Sequence, residues 1–174
     1  MADFLEILKY ILPSLIVLAV VYIFLNKYYS DKRAKEAEEL KKSSQEFILP
    51  VRLQAYERLM LFLERLNPNS LILRVSNPQF TPYQFQALLV QTIREEFDHN
   101  VAQQLYISDQ GWNTIKNAKE EVIRLINSSI VDLDEFSTTN DYAKIIITKW
   151  MEIEKDPIRA AQVMLKEEVK TLFT

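Results

Sequence analysis

The segment Arg94–Asn100, REEFDHN, comes nearest to the residue types and spacing of a reactive site. Glu96-x-x-His99 sets a carboxylate and an imidazole on one helical face, a pair that recurs in di-iron bundles. Such a site draws a histidine from each of two helices. The chain has one His, so a di-iron site within one chain is excluded. A mononuclear site could add Glu95 or Asp98, but nothing elsewhere supplies a matching group. The simpler reading is a charged helix end, with His99 near the C-terminal dipole, where positive charge is stabilised. Asp132-x-Asp134-Glu135 lacks the further oxygen ligands and the turn glycine of a calcium loop. A hydrolase would need a base beside Ser or Thr. His99 is available, yet neither a G-x-S-x-G elbow nor an S-x-x-K motif occurs.

Composition narrows the chemistry further. The 174 residues contain no Cys and one Gly, Gly111. The first fact removes disulfides, zinc fingers, iron–sulfur clusters and thiol nucleophiles. The second removes glycine-rich phosphate loops. Lys+Arg is 21 against Asp+Glu 24, a net charge of -3, which argues against nucleic acid as a partner. Apolar residues make up 48% and charged residues 26%, the balance of a folded chain. No catalytic residue, cofactor or metal ligand is assigned, and the protein is expected not to be an enzyme.

The elements around these residues begin with an apolar run. Tyr10 to Leu25, YILPSLIVLAVVYIFL, is uncharged over 16 residues, or ~24 Å of helix. With its flanks it approaches the ~30 Å hydrocarbon core of a bilayer. The expected anchor is residues 1–28, with Tyr10, Leu12, Leu15, Ile16, Leu18, Val21, Tyr22, Phe24 and Leu25 facing lipid. Lys9 alone precedes the run, whereas Lys27, Lys32, Arg33 and Lys35 open the segment after it. The positive-inside rule then puts the N-terminus outside and the rest in the cytoplasm. The expectation is a single-pass protein of the bacterial inner membrane. Acidic Asp3 and Glu6 before the run argue against a cleaved signal peptide.

Residues 29–49 read as a charged helical stalk. Arg33, Ala37, Leu40, Ser44 and Phe47 follow 4-3-4-3 spacing over about two heptads, a basis for weak self-association. Residues 50–174 read as one all-α domain, a compact bundle of about five helices. Pro50 opens the first helix, which ends at Asn67-Pro68-Asn69. Thr81-Pro82, Ser108-Asp109, the loop 137–141 and Asp156-Pro157 announce the later ones. Periodicity leaves helix or strand open for 70–75 and 101–107, with a short buried helix favoured for the former. Two aromatic regions are candidate interfaces, as well as candidate core: Leu71, Leu73, Phe80 and Tyr83 in one, Tyr106 and Trp112 in the other.

Three strings carry a resemblance: PVRLQAYERLMLFLERLNPNSLILR (50–74), TIREEFDHN (92–100) and QLYISDQGWNTIKNAKEEVIRLIN (104–127). They resemble an uncharacterised family of small single-pass membrane proteins from Bacteroidota, over most of the chain. The resemblance implies a membrane-anchored helical architecture and no activity, and no functional residue is carried over from it. The expected function is a non-catalytic bitopic accessory subunit. Its partners are the lipid bilayer and the subunits of a larger translocation, energy-transducing or transport complex. The alternative is a membrane-tethered module that binds a peptide or small ligand.

Overall fold

The computed structural model describes residues 2–77, 79–134 and 136–173. The side chains of residues 2–14 and of Ala34, Ala37, Lys41, Ser44 and Gln45 lie outside that description. The described residues form an all-helical structure without strands. In chain order the helices are α1 (Ala2–Leu66), α2 (Pro68–Val75), α3 (Pro82–Asn100), α4 (Asp109–Ser129), α5 (Thr139–Met151) and α6 (Pro157–Thr171). Short 3-10 turns follow α3 at Val101–Leu105 and α4 at Ile130–Asp132. Of the segments left open between helix and strand, 70–75 is α-helical, and 101–107 is a 3-10 turn to Leu105 followed by a bend.

The chain forms two compact units, Met1–Ile48 and Leu49–Thr174. In the first, every described side chain from Leu15 to Ile48 is exposed, including all of the apolar ones. The expected localisation, a single-pass inner-membrane protein with its N-terminus outside and a cytoplasmic domain, is corrected here. Among the described residues no helix is long and apolar enough to cross a membrane. The expected transmembrane helix is without support among the described residues, and the anchor residues Tyr10 and Leu12 lie outside the described side chains.

Pro50 does not begin a helix; it sits inside α1. Its missing N–H leaves one carbonyl a turn earlier without a helical partner. Glu46 and Pro50 are both exposed, so water can take that carbonyl. Strong helix formers on either side then carry the helix through.

The second unit is built around α4. Its buried residues Trp112, Ile115, Ala118, Val122 and Ile126 recur every three or four positions, one continuous face. Helices α3, α5 and α6 pack against it. The last turns of α1 contribute Tyr56, Leu59, Phe62, Leu63 and Leu66 to the same core. Local chemistry fixes where the helices start. Asn67, Thr81, Ser108, Thr138 and Asp156 each cap a helix by accepting a backbone N–H. Thr81 with Gln84 and Thr138 with Asp141 complete reciprocal capping boxes.

One buried polar group ties two of the layers. The Tyr142 hydroxyl donates to the Ile126 carbonyl at 2.6 Å, and its ring meets Phe85 edge-on at 6.3 Å. Burial pushes the Tyr142 phenol well above its ordinary value of 10.0. The unfolded chain ionises this group near pH 10 and the folded chain does so only at higher pH. Its contribution is therefore complete below pH 10 and is lost as pH rises beyond it. Chemical denaturation should show stability falling above pH 10, with a shallower fall in Tyr142→Phe. An equal fall in both proteins would show that Tyr142 does not titrate this way. The core also lies wholly within one unit. A fragment from Ser43 onward should accordingly be soluble, helical by circular dichroism and cooperative in melting. A fragment without a cooperative transition would show that this core is incomplete by itself.

Candidate functional site

The Glu96/His99 pair does not assemble. His99 Nδ1 donates to the Glu95 carbonyl at 2.6 Å, one turn back on α3, and the ring is exposed. Glu96 instead receives Arg65 Nη2 at 3.0 Å and Arg74 Nη2 at 2.8 Å, both on its Oε1. One carboxylate thus joins α1, α2 and α3. A groove of about 430 Å³ runs beside it, lined by Arg58, Leu61, Thr92, Glu96 and His99 among others. It is shallow and mixed in charge, unlike the enclosed, mostly apolar sites that hold small ligands. A second groove, of about 440 Å³, lies along α3 at Gln86, Val90, Arg94 and Asp98 and reaches Asn127. Among the described residues no group of three or more His, Asp or Glu side chains could hold a metal ion.

A second carboxylate cluster was not anticipated from the sequence. Glu168 on α6 accepts from the Tyr56 hydroxyl at 3.0 Å and from the Ser108 N–H at 3.2 Å. It also accepts from the Ser108 hydroxyl. Ser108 Oγ in turn accepts from the Gly111 N–H at 2.9 Å as the cap of α4. The acid therefore lies at the positive end of a 21-residue helix, where negative charge is favoured. Burial, together with the neighbouring Glu168 carboxylate, raises the Tyr56 phenol above its usual range. Beside it Arg52 Nε donates to the Tyr106 carbonyl at 3.2 Å. The arrangement is a fastening of α1, α4 and α6. The lone glycine was its only trace in the sequence: a Cβ on Gly111 would stand 2.5 Å from Glu168 Oε1.

The candidate interface residues separate by burial. Leu71 and Trp112 belong to the core. Trp112 stacks on Phe97 at 5.1 Å between ring centroids, and Lys119 Nζ sits 4.3 Å over the Phe97 ring. Leu73 and Tyr83 are 84% and 71% exposed. Phe80 and Tyr106 are half-buried, and their carbonyls accept the Thr139 hydroxyl and Arg52, respectively. In the first unit Leu15, Ile16, Leu18, Val21, Tyr22, Phe24 and Leu25 are all exposed. So are Lys27, Lys32, Arg33 and Lys35. Lys32 lies 3.8 Å from Glu36 within the helix.

The Glu168 fastening yields a thermodynamic test. Gly111→Ala gains up to ~1 kcal/mol of helix propensity but displaces a carboxylate whose charged hydrogen bonds are worth ~1.5–3 kcal/mol each. The net expectation is a loss of roughly 1 kcal/mol of stability. With Glu168→Ala already present, Gly111→Ala should be neutral or stabilising. Identical effects of Gly111→Ala in the two backgrounds would dissociate the glycine from the acid.

No curated protein and no solved structure matches the chain. A model of a family of unknown function, DUF7935, matches residues 2–172, and the chain belongs to that family.

Proposed function

We propose that the protein is a non-catalytic interaction protein, an accessory component that works by holding a protein partner. The observation that carries this reading is the exposed apolar run Leu15–Leu25 on α1. Each large side chain in it is between 45% and 70% exposed. Contiguous exposed apolar surface of this kind marks contact with another molecule more often than it marks a tolerated surface. The chemistry of the polar clusters supports the same reading. Glu96 and Glu168 are both engaged in joining helices, and His99 Nδ1 is engaged with its own backbone. The grooves are open and carry charges of both signs. They favour a binding surface over a reaction chamber.

The test uses the full-length chain in cells deleted for it. Ile16→Asp combined with Ile23→Asp should abolish complementation while leaving protein level and the melting of the Leu49–Thr174 core unchanged. His99→Ala should complement fully. Loss of complementation in His99→Ala with unchanged level and melting would overturn the non-catalytic reading. Full complementation by the double aspartate variant would remove the apolar run from the function.

A further inference from the structure

We infer that the partner of the α1 face is a second copy of this chain, bound parallel and in register along Leu15–Ile48. The inference rests on the interaction reading above and names its occupant. Three observations carry it. The first is a seam. Ile16, Ile23, Asn26, Arg33, Leu40 and Phe47 fall on a seam of alternating three- and four-residue steps, the 3.5-residue period of a left-handed coiled coil, whose remaining positions are Ala19, Ser30, Ala37 and Ser44. Ile16, Ile23, Leu40 and Phe47 are 55%, 65%, 70% and 76% exposed, so these four described side chains of the seam stand open.

The second observation is the distribution of charge. From Lys27 to Glu46 the chain has 11 charged residues, and only Arg33 falls on the seam. Arg33 can lead its guanidinium out to water along its apolar stem. Lys42 and Glu38, which pair at 2.9 Å, occupy the outer face of the same register. From Leu15 to Leu25 every face is apolar, so the register there follows by continuity with the charged half.

The third observation is charge complementarity, which selects orientation. In this register Glu36 falls at g and Lys41 at e, five residues apart. That is the offset at which g and e positions face one another across a parallel pair. An antiparallel pair would set e against e, with Lys27 and Lys41 as the only charged residues there. Parallel pairing also places Asn26 opposite its own copy, a polar pair that penalises slipped registers. Helix stability gives the pairing a reason. The stretch Leu15–Ile48, with every described side chain exposed, lacks the packed face that stabilises most helices in proteins.

The chain has no native cysteine, so single cysteines report the register directly. In the full-length protein, Leu40→Cys on the seam and Glu38→Cys on the outer face are oxidised at micromolar concentration. Opposed seam positions lie within disulfide reach and outer positions do not, so Leu40→Cys should form the covalent dimer at least about tenfold faster. Glu36→Lys in the Leu40→Cys protein should slow dimer formation several-fold, and adding Lys41→Glu should restore it. Equal rates at positions 38 and 40, or a monomer by sedimentation, would overturn the inference. Cross-linking seen only with phosphatidylglycerol-containing vesicles would overturn it too, by making a lipid surface the occupant. If the chain is monomeric and Ile16 with Ile23 are still required in cells, only the self-pairing falls and the interaction reading stands.

Discussion

Burial of the α4 stripe is the constraint to which the Leu49–Thr174 unit answers. Trp112, Ile115, Ala118, Val122 and Ile126 present a face that water disfavours along the whole helix. No single neighbour covers it, so α3, α5 and α6 converge on it. The connections between these helices are short, and each new helix begins with its first N–H groups unpaired. A side-chain oxygen must stand at each start, and Asn67, Thr81, Ser108, Thr138 and Asp156 supply it. The two requirements reinforce one another. The stripe decides where a helix lies, and the cap decides where it begins.

The parts of this structure legible in the sequence are those governed by neighbours along the chain. Thr81-Pro82 and Asp156-Pro157 combine a cap with a residue pre-set for the first turn, so they read without ambiguity. Pro50 shows the limit of the same rule. Proline marks a helix start only when the preceding residues cannot continue a helix, and the residues before Pro50 can. Leu71 and Leu73 show another limit. Two positions apart on a helix turns a side chain by ~200°, so one enters the core and the other faces solvent. Composition gives both the same apolar label, and only knowledge of which face is covered separates them.

The charged clusters were legible as charges but not as contacts. Glu96 invites pairing with His99 because the spacing is local, yet Arg65 and Arg74 arrive from two other helices and take the carboxylate. Glu168 lies 112 residues from Tyr56 and 60 from Ser108, separations over which a sequence pattern carries no signal. The single glycine of the chain is the one local trace. Gly111 occupies the first turn of α4, where alanine would ordinarily serve a helix better. The absence of a Cβ there is explained by an acid from a distant helix, so a rule about local propensity was set aside by a tertiary contact.

The first unit follows a different logic from the second. In Leu49–Thr174 the chain covers its own apolar surface, and the polar groups that enter the core are matched, as Tyr142 is by the Ile126 carbonyl. In α1 from Leu15 to Ile48 the described apolar side chains remain in the open. A helix with those exposed residues gains little from burial within the chain, while ordering each residue still costs conformational entropy. The charged half offsets some of that cost by pairs such as Lys42 with Glu38, each worth only ~0.2–0.5 kcal/mol. The apolar half has no such pairs. On the proposed self-pairing, a second copy supplies the cover that the described side chains of this stretch lack. The confinement of nearly all the charge between Lys27 and Glu46 to the faces away from the seam shows where that cover can be seated without burying a charge.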